Sequence, residues 1–258
     1  MTSVPSSLDR QRGQIIRELA FVTRRVGDEL HGTAEITPEM HVPGTNVLRT
    51  SVLATWADIV AGLLASLVMG PRVPVTLELD VNLYRPAPSA GTVHAVGKVV
   101  KVGRSVFVAE FEFTVDGAPI AVGAASFMVA PNPDVHLPPK LSIELPPTPD
   151  RLPVPLAERA RCERVSPGTV LLPHSIEALN ASDTINGGLI ALAAEEAVLS
   201  LAPGETLSFL GLRYLLGARV GPVIASARLH EGLGRVELRD TGNDNRLTTL
   251  ATARTFGR

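Results

Sequence analysis

Nine prolines fall between residues 131 and 155 of this 258-residue chain, four of them as the pairs Pro138-Pro139 and Pro146-Pro147. Proline has no amide hydrogen and a fixed φ, so such a stretch forms neither a helix interior nor a central strand. It reads as an extended connector reaching at most ~80 Å at roughly 3.1 Å per residue. That is enough to carry the chain across a small domain. The segments on either side are each the size of one small domain, so the chain is predicted to be two units joined by a strap.

The two flanks repeat one order of elements, which is the signature of an internal duplication. In the first, residues 29–37 read as a strand and residues 41–46 as a loop. A helix follows over about 48–69, then four strand-like runs at 75–84, 92–102, 106–115 and 120–129. The run 106–115 alternates, with Phe107, Ala109, Phe111 and Phe113 on one face and Glu110, Glu112 and Thr114 on the other, the period of a half-buried strand. Asp116-Gly117 supplies a hairpin turn. In the second flank, residues 158–165 read as a strand and 188–201 as a shorter helix. Runs follow at 206–216, 222–230, 235–239 and 247–256.

A strand, a long helix and an antiparallel meander make an α+β unit whose sheet wraps the helix. Ala61, Leu63, Leu64 and Leu67 in one helix, and Leu189, Leu192, Ala193 and Val198 in the other, supply apolar faces for that packing. The predicted organisation is a helical extension over 1–27, a first domain over 28–130, a connector over 131–156 and a second domain over 157–258. The extension is read as an amphipathic helix from Leu8, Ile15, Leu19 and Val22.

Composition excludes several function classes. A net charge of −2 lacks the basic excess of a nucleic-acid binder. A single cysteine, Cys162, permits no internal disulfide and no thiolate metal cluster. The six histidines show no ligand spacing, so no metal is assigned. The N-terminal residues carry charge where a secretory leader needs an apolar run. The apolar stretch 52–69 contains Trp56 and Asp58 and reads as a buried helix, not a membrane span. A cytoplasmic protein is expected, without membrane insertion.

The helix start Leu48-Arg49-Thr50-Ser51 through Ala57-Asp58 resembles the His-Gly-Gly…Ala-Asp helix start of hotdog-fold acyl-CoA thioesterases of the PaaI-like type. In that pattern an acid lies nine positions after a histidine. Arg49 stands at the histidine position and Asp58 nine later. In the second half Asn186 stands there, followed by Gly187-Gly188, with Glu195 nine later and Asn180 six earlier. Thr76, eighteen residues after Asp58, matches the family's strand hydroxyl.

The resemblance implies two fused hotdog domains with active sites shared between halves. One half supplies a helix N-terminus and an asparagine; the other supplies the acid and the hydroxyl. Site one would combine Asn180 and Gly187 with Asp58 and Thr76. Asn186 and Gly188 would flank the substrate, and Arg85 and Arg104 would reach the phosphates of CoA. Site two would combine Pro43 and Thr50 with Glu195 and Thr206. It lacks the asparagine and the glycine, and Arg49 would sit at its entrance, so it is expected to be degenerate.

The implied substrate is an acyl-CoA. No cofactor is needed, since CoA belongs to the substrate, and the arrangement allows a homodimer of double hotdogs. The chemistry suits these residue types. Thioester hydrolysis develops an oxyanion, which a helix-terminal amide stabilises, while a carboxylate activates water or attacks directly.

Plainer readings stand beside these. Glu195, next to Glu196, reads as a solvated surface acid. Asn180 and Asn186 are ordinary helix-entry residues, and Thr76 is an ordinary strand residue. Three other readings remain open. One is a hotdog hydratase or dehydratase, suggested by His41-Val42-Pro43-Gly44, although Thr55 stands where its glutamate would be. Another is a non-catalytic acyl-CoA or lipid binder. A purely structural dimerisation module is a third.

Overall fold

The computed structural model describes residues 13–257, apart from 133, 135 and 138–140. A turn of helix, α1 (Gln14–Arg17), leads into strands β1 (Val22–Val26) and β2 (Glu29–Glu35). The long helix α2 (Thr50–Met69) follows. Then come β3 (Pro74–Leu83), β4 (Thr92–Val102), β5 (Val106–Val115) and β6 (Ala118–Val129). The second half repeats this order element for element. It comprises α3 (Leu156–Arg159), β7 (Glu163–Ser166), β8 (Thr169–Leu172), α4 (Gly187–Leu199), β9 (Leu207–Tyr214), β10 (Val223–His230), β11 (Leu233–Asp240) and β12 (Arg246–Thr255).

All twelve strands form one antiparallel sheet in the order β1-β2-β4-β5-β6-β3-β9-β12-β11-β10-β8-β7. Read inward from either edge, each half has the same strand order, so the halves are two hotdog units related by a pseudo-twofold axis. The seam is β3 against β9, with Glu78 opposite Arg213, Asp80 opposite Gly211 and Asn82 opposite Phe209. Each half's sheet lies over its own helix, and the two helices also pack on each other.

The core follows from the alternation in the strands. Phe107, Phe111, Phe113 and Phe127 are buried beneath α2. The first two turns of α2, Thr50 to Ala57, are buried on every side, because they lie between the sheet and α4. Its final turns run past the shorter α4, and Leu67, expected in the core, is exposed there.

Two expectations are corrected. The extension is not one amphipathic helix. Helix α1 ends at once, Ala20 adopts a left-handed φ of 52°, and Val22–Val26 becomes the outermost strand of the first unit. Leu8 lies outside the described residues. The second half opens in the same way. Where the sequence reads as a strand over 158–165, α3 comes first and Arg161 turns the chain, also with φ 52°. In both halves the backbone reversal decides the outcome over side-chain periodicity.

From 131 to 155 the described residues form no helix or strand. The connector runs along β1 and covers its free edge: Thr23 N–H donates to the Leu145 carbonyl at 3.2 Å, and Thr23 Oγ1 to the Ile143 carbonyl at 2.7 Å. Covering an edge removes a template for unwanted strand pairing. Arg159 then clasps the halves, donating to both Glu18 oxygens at 2.7 and 2.9 Å and to Glu177 at 2.9 and 3.0 Å.

The seam and the helix packing do not depend on chain continuity. A protease site placed at residues 147–149 and cleaved is therefore expected to leave two fragments that co-elute from a sizing column under native conditions.

Candidate active site

Asp58 opens the third turn of α2, directly after the buried stretch from Thr50 to Ala57. Thr76 lies at the start of β3, beside a bulge at Leu77 that shifts the register with β6. Bulges re-aim side chains, and this one turns Thr76 inward: its Oγ1 donates to Asp58 Oδ1 at 2.8 Å. Asp58 is half-buried with its carboxylate enclosed. Loss of hydration raises its pKa to about 6, against the smaller lowering effect of the Thr76 hydrogen bond.

The other face of this carboxylate belongs to the second half of the chain. Gly187 is the first residue of α4, and a side chain there would begin 3.4 Å from Asp58 Oδ2 and 3.1 Å from the phenol oxygen of Tyr214. The missing side chain thus leaves a slot bounded by a carboxylate, a phenol and a helix N-terminus. Such a terminus carries unpaired amides and a positive dipole end. Asn186 caps the helix, its Oδ1 accepting from Gly188 N–H at 2.8 Å. The Tyr214 hydroxyl donates to the Gly187 carbonyl at 3.1 Å. Burial, and then the Asp58 charge, raise its pKa well above the ordinary phenol value.

The structure therefore brings Asp58, Thr76 and Gly187 together from opposite halves. Gly188 serves packing instead. A side chain there would collide with the Thr55 side chain, so this glycine sets how closely the two helices approach. Asn180 is committed within its own loop. Its Nδ2 donates to Thr184 Oγ1 at 2.8 Å, and its Oδ1 accepts from the amides of Ser182 at 2.8 Å and Thr184 at 3.2 Å. It shapes the entry to α4.

The pseudo-symmetric site is filled from within. Glu195 is not a solvated acid but fully buried. Its Oε1 accepts from Thr50 N–H at 2.9 Å and Ser51 N–H at 3.4 Å, and its Oε2 from Ser51 Oγ at 2.6 Å. Glutamate, one methylene longer than aspartate, reaches the amides at the start of α2 and caps a helix that has no side-chain cap of its own. Arg49 does not stand at an entrance. It is buried between Glu195 and Glu196, with Nη1 at 3.4 and 2.6 Å from their carboxylates. Arg164 closes the cluster on Glu196 at 2.7 Å. Burial pushes the Glu195 carboxyl upward, against the pull of Arg49, Ser51 and the Thr50 amide.

Thr206 is not the counterpart of Thr76. The bulge of β9 lies at Ser208, between Leu207 and Phe209, and matching it to the bulge of β3 puts Leu207 opposite Thr76 in the repeat. Site two has no hydroxyl at that position.

The remaining candidates lie apart. Arg85 is exposed beyond the far end of β3, nine residues and ~30 Å of strand from Thr76. Arg104 is exposed in the β4–β5 turn, at the same end of the sheet as Thr76 but three strands away. His41 bonds the Ser89 carbonyl at 2.9 Å, and the Thr55 hydroxyl donates to the Ser51 carbonyl at 2.8 Å, so neither builds a hydratase site. Sequence reasoning misses Tyr214. The alternation of buried Leu210 and Leu212 along β9 points its side chain inward and could have revealed it.

Comparison with known proteins bears on the fold. Residues 46–120, which include Asp58 and Thr76, match the Thioesterase superfamily. That stretch is thus similar to the Thioesterase superfamily, and it falls within the first hotdog unit. The whole chain is similar in fold to an acyl-ACP thioesterase from Bacteroides thetaiotaomicron, at 16% identity and TM-score 0.61 over 87% of this chain and 97% of that one. It is likewise similar to the 12:0-ACP thioesterase from Umbellularia californica, at 11% identity and TM-score 0.66 over 91% and 100%. A third is the tesB protein of Mycobacterium avium subs paratuberculosis, at 16% identity and TM-score 0.60 over 95% and 99%. No curated protein matches the sequence. These likenesses over nearly the whole chain show the fold: two hotdog units in one double-hotdog architecture.

The two glycines of α4 should separate under substitution. Gly187→Ala fits the helical backbone but fills the slot, so the fold is expected to survive, by circular dichroism and thermal melting, while turnover falls at least about tenfold. Gly188→Ala forces the helices apart and should lower the melting temperature instead. In the second site, Arg49→Met leaves two buried acids without their shared cation. Denaturant titration should show a loss of roughly 3–5 kcal/mol.

Proposed function

We propose that the protein hydrolyses acyl-CoA thioesters to the free acid and CoA at a single active site, shared between Asp58 and Thr76 of the first half and Gly187 of the second. The observation that carries this reading is the slot between the Asp58 carboxylate and the start of α4, in a chain whose residues 46–120 match the Thioesterase superfamily. The spacing of acid, hydroxyl and helix entry follows the PaaI-like pattern within that superfamily.

The thioester carbonyl oxygen lies against the Gly187 amide, where the helix dipole favours negative charge. Thr76 and Asp58 hold a water on the carbonyl carbon. Asp58 takes a proton from that water as its oxygen bonds to carbon, and the carbonyl electron pair moves to oxygen. When the tetrahedral intermediate collapses, the carbon–sulfur bond breaks, and Asp58 returns the proton to the departing thiolate. A carboxylate with pKa about 6 is ionised at neutral pH yet basic enough to accept that proton. The protein acts in the cytoplasm. Helix α2 is long and apolar enough to cross a membrane, but its first two turns are buried on every side.

Release of CoA measured across acyl chain lengths tests the activity. Asp58→Asn is expected to lower kcat ~10²–10⁴-fold with a smaller change in KM. In the wild type, kcat/KM should rise with pH through about 6 and then level, because only the ionised carboxylate works. Stability should move the other way. The folded carboxyl holds its proton to higher pH than the unfolded one, so its contribution falls as pH rises from about 3.8 to about 6. Asp58→Asn should therefore be more stable than wild type at pH 7, by at most about 3 kcal/mol, and lose that advantage near pH 4. Near-normal kcat in Asp58→Asn would overturn the assignment.

A further inference from the structure

We propose that Tyr214 is a catalytic residue, its phenol donating the second hydrogen bond, beside the Gly187 amide, to the thioester carbonyl oxygen as negative charge gathers there. This rests on the thioesterase reading above and names a donor that the Asp58–Thr76–Gly187 pattern leaves open.

Tyr214 Oη and Asp58 Oδ2 stand 3.1 and 3.4 Å from one point, the place where a Gly187 side chain would begin. An acyl carbon held in that slot has the carboxylate on one side and the phenol on the other. Asn180, the donor expected from the sequence, has its Nδ2 turned into its own loop on Thr184. No comparable bond ties down the phenol. Its hydrogen bond to the Gly187 carbonyl is 3.1 Å long, beyond the usual 2.7–2.8 Å for a hydroxyl donor. That carbonyl belongs to the first turn of α4, where a helical amide four residues on is its regular partner. Turning the hydroxyl from this carbonyl to a substrate oxygen leaves no buried group unpaired.

The proton must also stay on the phenol for it to donate. Burial and the neighbouring Asp58 charge both hold it there. A neutral donor binds an oxyanion more strongly than it binds a ground-state carbonyl, so its contribution appears in the transition state. The position also gives the seam a catalytic consequence. Tyr214 ends β9, and β9 pairs with β3, so the strand pair that joins the halves delivers the phenol beside Thr76.

Tyr214→Phe keeps the ring and removes only the donor. Loss of one oxyanion donor lowers kcat by roughly 10²–10³-fold; KM should change much less, and the rise of kcat/KM with pH should stay at the wild-type position, since Asp58 is untouched. Two CoA analogues separate catalysis from packing: an acyl-CoA trifluoromethyl ketone, which mimics the tetrahedral oxyanion, and a thioether lacking the carbonyl. Wild type should bind the ketone more tightly than the thioether, and Tyr214→Phe should lose that margin while holding the thioether equally well. Wild-type kcat in Tyr214→Phe, or equal weakening of both analogues, would overturn the role and leave the thioesterase reading standing. A wild-type protein that releases no CoA from any chain length would overturn both.

Discussion

The pairing of β3 with β9 is the interaction on which the rest of this structure depends. It joins two sheets edge to edge, removing two exposed edges at once, and it sets the pseudo-twofold axis. Because the strands run antiparallel, the start of each strand lies against the end of the other. Thr76 at the start of β3 therefore meets Tyr214 at the end of β9 and the helix that β9 covers. Packing of α2 on α4 then brings the acid of one helix to the N-terminus of the other. The bond between Thr76 and Asp58 is local to the first half, but the slot it faces exists only because the second half closes it.

Symmetry of backbone does not mean symmetry of chemistry. Both halves present an acid to the opposite helix start, yet the two differ by one methylene. The shorter Asp58 leaves a gap in front of Gly187. The longer Glu195 bridges the same gap and ligates the amides of Thr50 and Ser51. Arg49 then lies buried between Glu195 and Glu196. Burying these charges is costly, and a buried ion pair is a weak source of net stability; its consequence here is specificity. It caps a helix that carries no cap of its own and pins the second half to the first in one register. One cluster thus holds the molecule together, and the other is the site proposed for the chemistry.

The raised pKa of Asp58 belongs to the same division. Enclosing a carboxylate without a cationic partner works against folding at neutral pH, whereas Glu195 in the equivalent place has Arg49 beside it. A stabilised carboxylate makes a poor base, and a destabilised one a better base, so in the proposed site it matters that, among the described residues, no arginine pairs with Asp58.

Much of this was written in the sequence. The proline-rich strap divides the chain because proline cannot join a ladder or a helix, and the repeated order of elements survives at low similarity because hydrophobic periodicity dictates it. The offsets from Arg49 to Asp58 and from Asp58 to Thr76 are legible through their resemblance to the hotdog thioesterase pattern, since period alone singles out none of the three. Other features lay beyond it. The strand at Val22–Val26 depends on a left-handed residue at Ala20 that its side chain does not announce. The bulges that make Leu207, not Thr206, the counterpart of Thr76 are shifts in pairing with another strand. Burial of Arg49 and Glu195, and the arrival of Tyr214 beside Asp58, are contacts between residues far apart in the chain. Local propensity and period follow from the order of amino acids alone, but which charge is paired, which amide is covered and which slot stays open are settled only when the two halves meet, because desolvation and hydrogen bonding depend on neighbours that the linear sequence does not place.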